Sequence, residues 1–80
     1  MAKAQHALIY RRVPTLLRRL REDAGLTQRE LSEKIDKPQP WVHKSEDGSR
    51  RVDIAEFLEW CLGCGVDPMA GFAELVKLRK

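Results

Sequence analysis

A short helix predicted near the middle of the chain carries polar side chains on its outer side, namely Gln39, His43 and Lys44. A glutamine carboxamide can form two hydrogen bonds with an adenine edge, and a lysine ammonium can donate to guanine. Each such pair contributes about 1–3 kcal/mol of discrimination against a wrong base. Pro40, on the same side, can offer only apolar contact, for example with a thymine methyl, while His43 can bond a base or a phosphate. We therefore predict that these four residues contact bases in the major groove of DNA.

The sequence also supplies an anchor and a partner for this helix. Val42 is its sole aliphatic residue and is therefore expected to face inward, while Pro38 suits the first helical position. The partner helix begins with the capping box Thr27-x-x-Glu30 and ends near residue 34. A turn at residues 36 and 37 joins the two, which predicts a helix-turn-helix.

Three more helices follow from hydrophobic periodicity and capping residues. The first covers about residues 10–24, the fourth begins at Asp53, and the last covers about residues 68–77. The inward face of the fourth helix is predicted to consist of Ile54, Phe57, Leu58, Cys61 and Cys64. Because no run of residues has the pattern of a strand, the predicted fold is all-α, a compact bundle of four to five short helices.

Length and charge restrict the function further. The 80 residues allow one domain with a modest core and leave no room for a second, catalytic domain. The net charge is +3, and residues 1–25 carry six Lys or Arg against two acids. This weakly favours a polyanionic partner over an ordinary solvated surface. No segment has the apolar length of a membrane span or the pattern of a signal peptide, so the expected location is the cytoplasm.

The two cysteines, Cys61 and Cys64, form a C-x-x-C pattern in the fourth helix. A structural zinc ion normally requires four ligands, and the other soft ligands, His6 and His43, are distant from this pair in sequence. We therefore interpret both cysteines as small core residues and predict no metal and no cofactor.

Further residues are placed to contact the DNA backbone. Free backbone amides in the first turn of the second helix attract an anion, so polar side chains in this turn can hold a DNA phosphate. The alternative is that these side chains only face solvent. Two arginines follow the third helix in a loop from which they can reach phosphate. Trp41 fits two arrangements, one exposed with its indole N–H on a phosphate and one buried against the second helix. The predicted phosphate contacts are Gln28, Arg29, Trp41, Arg50 and Arg51.

Residues 16–66 resemble the Cro/CI-type helix-turn-helix regulators, also called the xenobiotic-response-element (XRE) type. The matching elements are the run LREDAGLTQREL at residues 20–31, the run CGVDP at residues 64–68, and Gln39, Val42, Glu46 and Gly48. The resemblance implies a lambda-repressor-like DNA-binding domain. It also implies a partly buried ion pair between Arg21 and Glu46 that fixes the third helix to the first.

Relatives carry a larger apolar side chain where this chain has Ser45, which predicts a thinner core there or compensation by Trp41 or Trp60. Relatives also dimerise, so that two half-sites about 34 Å apart are read together. The chain would then divide into an N-terminal arm or short helix (1–10), a DNA-binding domain (11–66) and a C-terminal helix that mediates dimerisation (67–80). The predicted dimer interface consists of Met69, Phe72, Leu75 and Val76, with residues 1–10 as an alternative.

Two functions are compatible with these features. The first is a sequence-specific regulator of transcription, a homodimeric repressor that binds double-stranded DNA at an inverted-repeat operator. The alternative is an antitoxin or other protein-interaction module whose last helix binds a partner such as a toxin. An enzyme is not expected, because the chain lacks a Ser/His/Asp set, paired carboxylates in a cleft and a glycine-rich phosphate loop.

Overall fold

The computed structural model of the protein describes residues 8–78, which form five helices joined by short turns. We number them α1 (Arg12–Asp23), α2 (Gln28–Lys34), α3 (Gln39–Asp47), α4 (Ile54–Gly63) and α5 (Pro68–Leu78). Residues 8–10 form a further helical turn ahead of α1. The predicted all-α fold is confirmed. Most of the predicted N-terminal arm, as well as His6 and the last two residues, lies outside the described part of the chain.

The capping box predicted at the start of α2 is present, and a second one is present at the start of α4. The Thr27 hydroxyl accepts from the Glu30 amide at 3.1 Å, and the Glu30 carboxylate accepts from the Thr27 amide at 2.8 Å. Asp53 and Glu56 exchange the equivalent pair of bonds at 2.8 and 2.9 Å at the start of α4. These bonds satisfy amides that have no partner inside a helix, and they fix where α2 and α4 begin.

The core lies where α1, α2, α3 and α4 meet. Trp60 is its largest fully buried side chain, and its indole N–H donates to the Leu17 carbonyl at 3.0 Å, which links α4 to α1. Val42 anchors α3 and is fully buried, as predicted. The other buried apolar residues are Leu16, Leu17, Leu20, Leu31, Cys61 and Cys64.

The predicted inward face of α4 is wrong at two positions. Ile54 is 85% exposed and Leu58 is 46% exposed, and both lie with the exposed Leu62 on the outer side of the helix. Because α4 is apolar around most of its circumference, hydrophobic periodicity alone does not select a face. The size of Trp60 and its bond to Leu17 decide the orientation. The i, i+4, i+8 series that begins at Ile54 is therefore directed outward.

Two glycines allow α4 to pack closely against its neighbours. A Cβ atom at Gly63 would lie 2.5 Å from Cγ2 of Ile35, which ends α2. A Cβ atom at Gly71 of α5 would lie 2.6 Å from Sγ of Cys61. Both distances are shorter than van der Waals contact, so any side chain at these positions would push the helices apart.

Burial governs the chemistry of the two cysteines. Cys61 is fully buried and Cys64 is 8% exposed, and both thiols are free. Removal from water raises the pKa of Cys61 and raises the pKa of Cys64 to about 11. Such thiols stay protonated at neutral pH, so the interpretation of both residues as core residues is confirmed.

Within residues 8–78, no group of three or more His, Cys, Asp or Glu side chains is arranged to hold a metal ion. In the same part of the chain, no helix has the length and apolar character needed to cross a bilayer.

Candidate nucleic-acid interface

The outer face of α3 is polar and exposed, and its inner face is buried. Val42 and Ser45 are fully buried, whereas residues 39, 40, 43 and 44 are exposed. An open depression connects this face to the start of α2. It is lined by Gln28, Gln39, Pro40 and His43. The four predicted base contacts therefore share one accessible face, three of them beside a predicted phosphate contact.

The turn between α2 and α3 sets the angle of this face. Asp36 has a left-handed backbone with φ of 57°, a conformation that aspartate adopts more readily than most residues other than glycine. The Lys37 amide then donates to the Ser32 carbonyl at 2.9 Å, which closes the end of α2. Pro38 follows as the N-terminal cap of α3 and has an extended backbone.

Arg21 of α1 forms a bidentate ion pair with Glu46 of α3. Its Nε donates to Glu46 Oε2 at 2.5 Å and its Nη2 donates to Oε1 at 3.0 Å. A third donor, Nη1, reaches the Leu26 carbonyl at 2.8 Å. The Arg21 and Glu46 side chains are only 10% and 4% exposed. The hydrogen bond to Glu46 raises the pKa of Arg21, so the guanidinium remains charged and links α1 to α3.

Gln28 joins this network from the first turn of α2. Its Nε2 donates to Glu46 Oε1 at 3.0 Å, which orients the half-buried carboxamide. The second hydrogen on the same nitrogen still has donor capacity. Arg29, the next residue, is exposed. The capping pattern predicted where α2 begins, but it gave no sign of the contact between Gln28 and Glu46.

The C-terminal end of α3 carries a second polar cluster. His43 Nε2 lies 3.6 Å from Asp47 Oδ2, and both side chains are largely exposed. The Asp47 carboxylate also accepts from the Ser49 hydroxyl at 2.6 Å and from the Ser49 amide at 2.8 Å. These bonds from Ser49 lower the pKa of Asp47. The cluster therefore keeps an anionic group at the end of α3 and restrains the loop that follows.

Trp41 is half-buried, which is intermediate between the exposed and the buried arrangement considered from the sequence. Its ring lies 6.1 Å from the Trp60 ring at an angle of 35°. The Arg50 guanidinium lies 4.3 Å and the Lys37 ammonium 5.3 Å from its centroid. Ser45, fully buried, donates its hydroxyl to the Trp41 carbonyl at 2.7 Å.

The two arginines of the loop have different surroundings. Arg50 donates to both oxygens of Glu56 at 3.1 and 2.8 Å, and this contact lowers the pKa of Glu56. Arg51 is exposed, and its guanidinium lies 4.3 Å from the centroid of the Tyr10 ring. The Tyr10 hydroxyl in turn accepts from the Val52 amide at 2.8 Å. This role of Tyr10 was not predicted, since the contact joins residues 42 positions apart and leaves no local pattern.

A second exposed surface lies on α4 and α5 and is apolar. On α5, Met69 is 80%, Phe72 53% and Val76 40% exposed, whereas Leu75 packs against the core. We call this surface, together with the outer side of α4, the apolar face. It consists of Ile54, Leu58, Leu62, Met69, Phe72 and Val76.

Comparisons with known proteins agree with this geometry. Residues 15–71 match the family model of a helix-turn-helix domain. The structure is similar to an XRE-family like protein from Pseudomonas syringae pv. tomato str. DC3000, with a TM-score of 0.87 and 38% sequence identity. The match covers 96% of this chain and 94% of the other. The comparison with curated proteins gave no match. The chain therefore belongs to the XRE (Cro/CI-type) family of helix-turn-helix DNA-binding regulators.

Proposed function

We propose that the protein is a repressor that binds an inverted-repeat operator as a homodimer, with α3 of each copy in the major groove. One observation carries this proposal. The outer face of α3 is polar and uncovered, while the helix beneath it is fixed by a buried valine and a buried ion pair. A rigid helix with hydrogen-bonding groups on its exposed side is what direct reading of base edges requires.

The proposed base contacts are Gln39 and Lys44, with His43 and Pro40 beside them. Gln39 lies in the first turn of α3, and the N-terminal residues of a recognition helix are those that usually approach base edges. Lys44 lies more than one turn further along the same exposed side. A bidentate bond from Gln39 to adenine and a donor from Lys44 to guanine would together define part of a half-site.

The proposed backbone contacts on α2 are Gln28 and Arg29. Gln28 is oriented by Glu46 and lines the same depression as Gln39, so a phosphate beside the bound bases would lie within its reach. Arg29 adds an exposed positive charge in the same turn. Such contacts fix the register of a protein on a duplex without reading its sequence.

The proposed dimer interface is the apolar face. Six large apolar side chains are exposed on two helices that pack against each other through Gly71 and Cys61. Exposure of this many large apolar side chains on two packed helices costs free energy in water. A second copy with the same surface would cover it by two-fold symmetry, and the symmetry of an inverted repeat would then match that of the protein.

The decisive experiment is selection of bound duplexes from a random pool, with sedimentation equilibrium of the free protein in parallel. We expect an enriched inverted repeat and a dimeric mass. The enriched site placed over a promoter should reduce transcription in a purified system, because a bound dimer excludes polymerase. Enrichment of no sequence would contradict the proposal, and so would transcription that is unchanged when the site is fully occupied.

The apolar face also supports a second candidate, an antitoxin that covers this face with a protein partner such as a toxin. The two candidates differ in the free state of the protein. The repressor dimer buries the apolar face without a partner, whereas the antitoxin leaves it accessible. A monomeric mass at concentrations where the protein binds DNA would favour the second candidate.

A further inference from the structure

Arg50 and Arg51 are adjacent in sequence and carry the same charge, but they differ in what that charge already contacts. The Arg50 guanidinium faces both oxygens of the Glu56 carboxylate and also donates to the Arg51 carbonyl at 2.8 Å. Its flat face lies on Trp41. The pair with Glu56 is only 31% and 19% exposed, so the positive charge of Arg50 is locally neutralised.

Arg51 has a different kind of contact. Its guanidinium carbon lies over the Tyr10 ring, 4.3 Å from the ring centroid, and within residues 8–78 no carboxylate lies within ion-pair distance of it. A cation–π contact does not neutralise the cation, and a guanidinium carries five N–H donors. Arg51 therefore keeps its charge and N–H donors for a ligand.

The position of Tyr10 is fixed as well. Its hydroxyl accepts the Val52 amide, which ties the turn before α1 to the loop after α3. Tyr10, Arg11 and Arg51 line one open groove together with Asp47 and Gly48 at the C-terminal end of α3. Glu46 also lines the groove but is paired with Arg21, and the Asp47 carboxylate is held by Ser49 and stays anionic. The positive charge at this groove comes from the two exposed arginines.

We infer that Arg51, held in place by Tyr10, is the residue of this loop that binds a DNA phosphate, and that Arg50 is a structural residue. Tyr10 acts as a positioning residue, because it restricts the Arg51 side chain before DNA arrives. This inference deepens the proposed function and rests on it. Two adjacent arginines that the sequence alone does not distinguish therefore have different roles.

The test measures binding to a mixed-sequence 30-base-pair duplex over a range of salt concentrations. The plot of log affinity against log salt has a negative slope, and each lost phosphate contact makes it shallower by about 0.9. We expect Arg51→Ala to make the slope shallower by about that amount per protomer and to lower the melting temperature less than Arg50→Ala does, because it removes only one exposed cation–π contact. Arg50→Ala is the matched control, and it should keep the slope of the wild type while lowering the melting temperature.

Two substitutions of Tyr10 separate positioning from folding. Tyr10→Phe keeps the ring but loses the bond to Val52, so it should keep the affinity for the duplex and lose some thermal stability. Tyr10→Leu removes the ring and should weaken binding about two- to fivefold, the effect of one exposed cation–π contact. In the Arg51→Ala background, Tyr10→Leu should have no further effect on affinity, because the residue that it positions is absent.

The outcomes separate the inference from the proposed function. If the wild type binds the duplex and Arg50→Ala makes the slope as shallow as Arg51→Ala does, the inference is overturned and the proposed function stands. Equal effects of Tyr10→Leu with and without Arg51 would overturn the positioning role. A wild type that binds no duplex at any salt concentration would overturn both.

Discussion

The outer face of α3 and the apolar face on α4 and α5 are both exposed, yet they present opposite chemistry. The α3 face carries a carboxamide, an imidazole and an ammonium group, all of which water can solvate. The apolar face carries isoleucine, leucine, methionine, phenylalanine and valine, which water does not solvate favourably. The difference fits the proposed function, in which DNA is bound through hydrogen bonds and a second copy of the protein through burial of apolar area.

The two regions also differ in how they are fixed to the rest of the molecule. Below α3, a polar network of Arg21, Glu46 and Gln28 holds the helix. Below α4, Trp60 and two close glycine contacts hold the helix. Substitutions can therefore damage one region without the other, and the following predictions use this independence.

The largest expected effect is that of Glu46→Ala on stability. The substitution leaves the Arg21 guanidinium buried without its carboxylate, which should lower the free energy of unfolding by about 3–5 kcal/mol. Thermal and urea unfolding measure this change. The control is Glu74→Ala, which removes an exposed ion pair with Lys77 and should cost no more than about 1 kcal/mol. Equal effects of the two substitutions would contradict the role of Glu46 in fixing α3.

The second prediction concerns the apolar face. Phe72→Glu places a charge in the proposed dimer interface, which should raise the dimer dissociation constant at least about 100-fold. Sedimentation equilibrium measures the constant. Ala70→Glu adds the same charge two residues away, on the opposite side of α5, and should leave the dimer intact. Dissociation by both substitutions would show that net charge, and not this face, controls association.

A smaller effect is expected on the α3 face. We compare the selected operator with the same site in which one adenine is substituted. Gln39→Ala should reduce the difference in binding free energy between these two duplexes by about 1–3 kcal/mol. Competition binding with the two duplexes measures the difference. Arg29→Ala, in contrast, should weaken binding to both duplexes equally, because a phosphate contact carries no base information. Loss of discrimination in the Arg29 variant would reverse these two assignments.

The smallest effect is expected at the turn that joins α2 to α3. Asp36→Gly should raise the free energy of unfolding by about 0.5–1 kcal/mol, since glycine adopts the left-handed backbone without a steric penalty. The melting temperature reports this change. Asp36→Asn removes the charge but keeps a residue that tolerates this backbone, so it should change stability less. A destabilised glycine variant would show that the Asp36 side chain itself supports the turn.

The sequence predicted the helices well because their ends are encoded locally. Thr27 with Glu30 and Asp53 with Glu56 mark the starts of α2 and α4 within four residues of chain. The orientation of α3 was also predictable, since a helix with one aliphatic residue has only one way to face a core. In both cases the information lies within one or two turns of the same helix.

What the sequence did not reveal depends on contacts between distant residues. The orientation of α4 is decided by Trp60 and the Leu17 carbonyl, and no local pattern in a helix that is apolar on most sides predicts that contact. The different roles proposed for Arg50 and Arg51 rest on contacts with Glu56 of α4 and with Tyr10 in the helical turn before α1. The exposed face of α3 could therefore be predicted from the sequence, whereas the contacts of the loop arginines could not, because they depend on how the helices pack.

Gly63 and Gly71 determine how closely α4 packs against its neighbours. Because neither residue has a side chain, α4 approaches Ile35 at the end of α2 closely at Gly63, and α5 approaches Cys61 of α4 closely at Gly71. In a dimer joined through α4 and α5, this close packing would keep the two copies of α3 at a fixed separation. Such a protein cannot follow an operator whose halves are moved apart. One inserted base pair at the centre, which rotates the halves by about a tenth of a turn, should therefore abolish cooperative occupancy.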